Sequence, residues 1–168
     1  YFPLASAQEV AQSREAPYNP FVLCGESGSG KSFLLRAIAN ARSELCGDGI
    51  YLGGIEDLHE LYSSRSDARK FLMSAQLLAV DDLQEIARYR YLQGELLALF
   101  DHFHLQRKQM VFACTGKVGG CTFLAPKLKS RLEWGLSVML KAPDLDIRTQ
   151  YALSRCRERR LDLSRDRI

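Results

Sequence analysis

The residues of this chain with the clearest chemistry lie in one short segment, residues 25–32. It reads Gly25-Glu26-Ser27-Gly28-Ser29-Gly30-Lys31-Ser32 and matches the pattern G-x-x-x-x-G-K-[ST] in full. Glycines let such a loop turn so that successive backbone N–H groups point at phosphate oxygens. The lysine brings a charge to the β- and γ-phosphates, and the Ser32 hydroxyl can bind Mg²⁺. The segment therefore predicts a loop that binds the phosphates of a nucleotide.

The residues on either side of the loop fit this prediction. Residues 21–24 form a short apolar run typical of a buried strand, and residues 33–40 have the pattern of a helix. The amino end of that helix would face the phosphates with its partial positive charge. We expect Lys31 to face solvent, so that its replacement leaves the fold intact.

A pair of carboxylates after a later apolar run is the second candidate element of the site. Residues 77–80 are all apolar and precede Asp81 and Asp82. Because ligands of open α/β sheets lie beyond the carboxyl ends of the strands, these acids should reach the edge that carries the loop. Asp81 could then hold Mg²⁺, and Asp82 could orient or deprotonate an attacking water. The alternative is that two acids merely begin a surface turn.

Two further positions could complete the site. Thr115 ends the core strand 110–115 and could contact the γ-phosphate or the lytic water, or be an ordinary strand-end threonine. The basic cluster 127–131, between a helix and a strand, could be a solvated face. Alternatively, Arg131 in this cluster could act as an arginine finger on a nucleotide held by a neighbouring subunit.

Strands and helices alternate along the chain. Apolar periodicity predicts helices over 4–14, 31–45, 55–63, 66–74, 92–106 and 144–160, and strands over 21–24, 50–52, 77–82, 110–115 and 136–140. This alternation is typical of an α/β fold with a parallel sheet of five strands covered by helices on both faces. Such a sheet brings the carboxyl ends of its strands, and with them the candidate residues, to one edge.

Composition narrows the class of protein. The 168 residues fit one domain, or one domain plus a fragment of another. No apolar run is long enough to span a bilayer, which favours a soluble protein without a membrane partner. The net charge of +3 does not by itself argue for nucleic-acid binding. Five cysteines without a C-x-x-C pair favour buried, reduced thiols in a cytoplasmic protein.

Several segments resemble the DnaA family of bacterial replication initiators, with its short relative Hda, within the AAA+ ATPases. The similarity covers essentially the whole chain and includes the segments 16–21, 77–84 and 143–148. Its most specific part, which many P-loop families lack, reads Leu128-Lys129-Ser130-Arg131-Leu132-Glu133-Trp134-Gly135-Leu136.

The resemblance implies a P-loop NTPase of the AAA+ class that binds ATP or ADP with Mg²⁺ and acts in initiation of DNA replication or in its regulation. Subunits would assemble head to tail, by self-association or with a DnaA-type partner, and ATP would lie between the loop of one subunit and Arg131 of the next. Lys31 and Ser32 match the family's phosphate and Mg²⁺ residues. Asp81 matches its metal carboxylate and Asp82 its water-activating acid, while Thr115 falls on its polar sensor.

The chain also departs from the family pattern. Asp82 stands where many AAA+ ATPases carry Glu, and its shorter side chain should make hydrolysis slow. Thr115 replaces the acid or amide usual at the sensor, which weakens the case for γ-phosphate sensing. The family's basic positions for single-stranded DNA fall on Tyr89 and Tyr91, so DNA contact through the adjacent arginines is possible but is not carried over.

The resemblance also divides the chain into two parts. Residues 1–143 would form the nucleotide-binding α/β domain. Residues 144–168 would begin a small helical lid subdomain and contain only its first helix. The second sensor arginine and the duplex-binding domain of the initiators would then lie outside this chain.

Three other functions share these motifs. A helicase loader or transposition helper ATPase would have the same loop and acids but a different protein partner. A small-molecule kinase usually needs an arginine-rich lid, and no such segment is visible between the strands. A non-hydrolysing adaptor would hold ATP only as a structural ligand, and the unusual Asp82 and Thr115 keep this alternative open.

Overall fold

A five-stranded parallel sheet forms the centre of the molecule. The structure, a computed structural model, describes residues 2–47 and 49–158, except for the side chains of residues 147, 152 and 157. The strands are β1 (Phe21–Gly25), β2 (Ile50–Gly54), β3 (Leu77–Asp81), β4 (Gln109–Thr115) and β5 (Leu136–Leu140). They lie in the order β2-β3-β4-β1-β5, and all neighbours are parallel. The α/β class and the five-stranded parallel sheet predicted from the sequence are confirmed.

Helices connect the strands. They are α1 (Phe2–Gln12), α2 (Lys31–Cys46), α3 (Ile55–Ser64), α4 (Ala68–Ser74), α5 (Leu92–Leu105), α6 (Pro126–Leu132) and α7 (Leu145–Glu158). Short 3₁₀ helices follow β3 (Leu83–Ala87) and β4 (Val118–Gly120). Among the described residues, no helix is long and apolar enough to cross a membrane.

Each face of the sheet carries its own apolar core. Along β1, Phe21 and Leu23 pack on the face covered by α1 and α2, whereas Val22 and Cys24 point to the opposite face, with α3, α5 and α6. Every residue of β1 is buried, as the interior position of this strand between β4 and β5 requires. A strand buried on both faces has little freedom to shift in register, so β1 holds the loop that follows it in a fixed place.

The sequence-based element bounds are close to the observed ones, with one omission. Over the described part of the chain, every predicted helix and strand begins and ends within two residues of the observed element. Residues 159–160 of the last predicted helix lie outside the described residues. The omission is α6, because the basic cluster 127–131 was expected to connect a helix to a strand. It is itself helical, with Pro126 at the first turn and Leu128 and Leu132 buried one turn apart.

Candidate functional site

The loop between β1 and α2 is positioned by its two flanking elements. Gly25 ends β1, and an added Cβ there would lie 2.6 Å from both the Leu140 carbonyl oxygen and the Ser29 hydroxyl oxygen. Gly30 has a left-handed backbone (φ 91°) and directly precedes α2. No side chain caps the amino end of α2, so its first N–H groups remain available to an anion at the positive end of a 16-residue helix.

The side chain of Lys31 does not face solvent, which corrects the sequence-based expectation. Only 7% of the residue is exposed. Its ammonium donates to the carbonyl oxygens of Gly25 (2.9 Å) and Glu26 (2.8 Å) at the start of the same loop. The ammonium bonds these two carbonyl oxygens because an unpaired buried charge is costly.

The loop, Asp82 and Thr115 share one cavity at the carboxyl ends of the strands. Its volume is about 350 Å³. The register pairs Gly25 with Thr115, which brings the end of β4 beside the start of the loop. The structure thus brings together residues that are up to 88 positions apart in the chain, and the cavity is lined by Ser27, Gly28, Gly30, Lys31, Ser32, Phe33, Asp82, Gln84 and Thr115.

The two acids at the end of β3 point to neighbouring parts of this edge. Asp81 lines an adjacent open cleft of about 600 Å³ that also reaches Asp82. One carboxylate oxygen of Asp81 accepts a 2.9 Å hydrogen bond from the Asp82 N–H, and Asp82 adopts a left-handed backbone (φ 50°). This turn separates the two carboxylates. The chain therefore presents the Asp81 carboxylate at the strand end and the Asp82 carboxylate in the cavity beside the loop.

The oxygen donors at this edge fit a hard divalent cation. Mg²⁺ is usually bound by one or two carboxylates together with substrate phosphates and water, rather than by a cage of protein ligands. The Ser32 hydroxyl in the cavity and the Asp81 carboxylate in the adjacent cleft are donors of that kind. Over the described residues, no group of three or more His, Cys, Asp or Glu side chains is arranged to hold a metal alone.

Gln84 is a residue of this site that the sequence analysis did not single out. Its Oε1 accepts a hydrogen bond from the Thr115 N–H (3.1 Å), and its Nε2 donates to Asp82 Oδ1 (2.8 Å). The 3₁₀ helix after β3 turns it back over the sheet edge. The signals for it in the sequence were its place two residues after the acidic pair and at the end of the resembling segment 77–84.

Arg131 lies away from the loop of its own chain. It is near the end of α6, where its Nε is 3.1 Å from Asp101 Oδ1 and its guanidinium carbon is 4.1 Å from the centre of the Trp134 ring. Its side chain is 32% exposed, and Trp134 is 52% exposed. These contacts hold the guanidinium at the surface, and Arg131 does not line the cavity that contains Lys31.

Three cysteines lie buried beneath the site, but the expectation of buried thiols does not hold for all five. Cys24, Cys114 and Cys121 are buried, whereas Cys46 is exposed and Cys156 is half-buried. The Sγ atoms of Cys114 and Cys121 are 3.6 Å apart. Burial raises the pKa of Cys24, and burial together with the Cys121 thiol raises that of Cys114, so both thiols remain protonated at neutral pH.

The two positions on which the family's DNA-contacting residues fall, Tyr89 and Tyr91, form an aromatic cluster with His59 of α3. The His59 ring stacks on Tyr89 with centroids 4.2 Å apart, and its Nδ1 is 2.8 Å from the Tyr91 hydroxyl oxygen. Arg88 is paired with Glu56 (3.2 Å) and Glu85 (3.1 Å). The charge of Arg88 is thus offset by two carboxylates.

Residues 1–139 match the family model of the bacterial DnaA ATPase domain. The chain is 32% identical over 171 residues to the chromosomal replication initiator protein DnaA of Trichormus variabilis, an alignment that covers 98% of this chain. The chain belongs to the DnaA family. It spans 37% of the length of that relative.

Solved structures agree with this assignment. Domain III of the Thermotoga maritima replication initiation protein DnaA superposes with a TM-score of 0.83 at 26% identity, covering 97% of this chain and 71% of that one. A replication initiator DnaA bound to AMPPCP and single-stranded DNA superposes with a TM-score of 0.81 at 23% identity, covering 98% and 53%. The DnaA resemblance and the AAA+ P-loop fold predicted from the sequence are confirmed, while the roles of individual residues stay predictions.

Proposed function

We propose that this chain is an ATP-binding AAA+ module that acts in initiation of DNA replication or in its regulation. The observation that carries the proposal is the shared cavity of about 350 Å³, in which a complete phosphate-binding loop meets Asp82 and Thr115. Membership of the DnaA family supports the process, and the nucleotide analogue bound to its structural relative supports ATP or ADP as the ligand.

In this proposal the phosphates bind at the amino end of α2. Backbone N–H groups of residues 27–32, apart from that of Ser29, would donate to phosphate oxygens. Lys31 already points its ammonium into the loop, and it can exchange the carbonyl oxygens of Gly25 and Glu26 for phosphate oxygens, which are stronger acceptors. Glu26 and Ser29 shape the loop, since the Ser29 N–H donates to the Glu26 carbonyl oxygen at 3.2 Å.

Ser32 and Asp81 would hold Mg²⁺. When bound, the ion would neutralise charge on the β- and γ-phosphates. Asp82 would orient the attacking water from the other side of the cavity, and Thr115 would contact the γ-phosphate or that water. The Asp82 carboxylate is one methylene shorter than the Glu found in many AAA+ ATPases, which supports slow hydrolysis.

Arg131 would complete the site of a neighbouring subunit. Its position outside the cavity of its own chain, at the exposed end of α6, supports a role in trans. The neighbour would be a second copy of this chain or another DnaA-type AAA+ protein, assembled head to tail. An arginine supplied in this way stabilises negative charge that develops on the γ-phosphate.

A role in initiation of DNA replication would place the protein in the cytoplasm and close to a DNA strand. Direct DNA contact would use the exposed ring of Tyr91 and the half-buried ring of Tyr89 with Arg90, because aromatic rings stack on bases and arginines contact phosphates. Glu56 and Glu85 offset Arg88 and would oppose binding of the backbone there.

A titration with labelled ATP tests the binding step. Lys31→Ala should reduce affinity at least about 100-fold, because a charge-assisted contact to phosphate is lost from a largely buried position. Lys108→Ala is the matched control, since the Lys108 ammonium also donates to a backbone carbonyl oxygen (Met73, 2.8 Å) but lies far from the loop. Equal affinity in the two variants would refute the nucleotide site.

A non-hydrolysing adaptor remains the second candidate function, supported by the short acid at Asp82 and the threonine at Thr115. A single-turnover measurement with protein in excess separates the two. Slow conversion of ATP to ADP supports the ATPase, whereas bound ATP that stays intact supports the adaptor.

A further inference from the structure

A carboxamide bridges the two polar residues that face the loop across the cavity. Gln84 accepts from the Thr115 N–H and donates to Asp82 Oδ1. We propose that Gln84 is a positioning residue, which orients the Asp82 carboxylate and ties it to the end of β4. The inference rests on the proposed function, because it concerns the same cavity, and it extends that function to a residue outside the predicted site.

The orientation of this bridge follows from the chemistry of its two ends. A backbone N–H can only donate, so the atom that faces Thr115 must be the carboxamide oxygen. A carboxylate oxygen accepts, so the nitrogen must face Asp82. The reversed amide would put two donors together at Thr115 and two acceptors together at Asp82, so only one orientation satisfies both ends.

The Asp82 carboxylate depends on Gln84 for a fixed orientation. Its residue is exposed and its backbone lies in the left-handed region, so packing does not restrict its side chain. Within the described part of the chain, the Asp82 carboxylate has no hydrogen-bond partner besides Gln84. Without the bridge the carboxylate could rotate freely, and a freely rotating group is a poor water-orienting residue because it samples the productive geometry only part of the time.

The bridge also places the Gln84 carboxamide next to Thr115, whose own side chain has no amide. Thr115 stands where family members usually carry an acid or an amide, and Gln84 lines the same cavity. A carboxamide has two N–H donors and an oxygen with two lone pairs. The observed bonds use one donor and one lone pair. A second donor and a second lone pair therefore remain for the attacking water.

Two variants separate the two ends of the bridge. Gln84→Ala removes both bonds. Gln84→Glu keeps an acceptor for the Thr115 N–H but sets a second carboxylate against Asp82. Gln93→Ala is the matched control, because the Gln93 carboxamide also bridges two groups, here the Phe123 carbonyl oxygen and the Ala125 N–H, but does not line the cavity.

The test combines single-turnover hydrolysis with ATP titration on the complete chain. Both Gln84 variants should hydrolyse ATP about 10- to 100-fold more slowly, within the range for loss of a water-orienting group, while their ATP Kd stays within about twofold. Asp82→Asn combined with Gln84→Ala should be no slower than Asp82→Asn alone, because the two residues act as one unit. A Gln84→Ala rate equal to that of Gln93→Ala, or a loss of ATP affinity, would overturn the inference.

A second readout keeps the inference testable if the chain does not turn over ATP. In that case the hydrolysis part of the proposed function fails, and the bridge is judged by hydrogen exchange at the Thr115 amide. Exchange should accelerate at least about tenfold in Gln84→Ala and stay slow in Gln84→Glu and Gln93→Ala. Unchanged exchange in Gln84→Ala would show that the carboxamide does not hold the end of β4.

Discussion

Arg131→Ala should weaken assembly while leaving the isolated subunit almost intact. In the structure this side chain makes one ion pair with a 56% exposed Asp101 carboxylate and one contact with the exposed Trp134 ring. An exposed ion pair contributes about 0–1 kcal/mol, and an exposed cation–π contact about 0.5–1 kcal/mol. The free energy of unfolding should therefore fall by no more than about 2 kcal/mol. Arg69→Ala, which removes a bidentate pair with Glu95, is the matched control.

The same two contacts must break before Arg131 can reach a neighbouring subunit. Releasing it costs at most about 2 kcal/mol, or roughly 30-fold, whereas arginine fingers contribute about 10³–10⁵ in rate. The contacts within its own chain are therefore weak enough for Arg131 to act on a neighbour's phosphate. Asp101→Asn removes the competing carboxylate and should strengthen ATP-dependent association by about two- to fivefold, opposite in sign to Arg131→Ala.

Size measurements over a series of protein concentrations, with ATP and with ADP, test both variants. Arg131→Ala should show unchanged ATP affinity at high dilution and a loss of the ATP-dependent larger species at high concentration. If Arg131→Ala instead lowered ATP affinity in the dilute monomer, Arg131 would act in cis, and the reasoning that assigns it to a neighbouring site would be refuted.

Three further predictions concern hydrolysis, packing and pH. Asp82→Asn should slow single-turnover hydrolysis by about 10²–10⁴-fold with ATP affinity preserved, and an unchanged rate would make Asp82 a turn residue. Gly135→Ala should lower the free energy of unfolding in urea by at least about 3 kcal/mol, since its Cβ would lie 1.8 Å from the Pro20 carbonyl oxygen, and a variant as stable as the wild type would contradict this packing. Hydrogen bonding to Arg69 lowers the pKa of Glu95, so this carboxylate stabilises the fold above its unfolded pKa of about 4.3, and the effect is lost as the pH falls through the lower folded pKa. Glu95→Gln should therefore flatten the dependence of stability on pH in acid, and an unchanged dependence would argue against the pair.

The sequence was most informative where the signal is local. The loop 25–32 is a contiguous motif with a fixed geometry, and the strand before it is an unbroken apolar run. Asp81 and Asp82 follow directly from the end of such a run, because parallel strands share one edge for their carboxyl ends. In each case the residues that define the feature are neighbours in the chain.

Features that depend on distant contacts could not be predicted. Gln84 meets Thr115 across 31 positions, and Arg131 meets Asp101 across 30. The orientation of Lys31 depends on two carbonyl groups that face it only after the loop has folded. The helix α6 has seven residues and only two buried leucines, which is too short a pattern for periodicity to distinguish from a basic loop.

A mixing experiment tests the shared nucleotide site most directly. Lys31→Ala lacks a working loop but keeps Arg131, whereas Arg131→Ala keeps the loop but lacks the arginine. Each variant alone should fail to form the ATP-dependent assembly, but an equimolar mixture should regain a dimer in which the loop of one chain meets Arg131 of the other. Recovery of this species with ATP and not with ADP is the predicted result. A mixture that behaves as the sum of its two inactive components would contradict a site shared between neighbouring subunits.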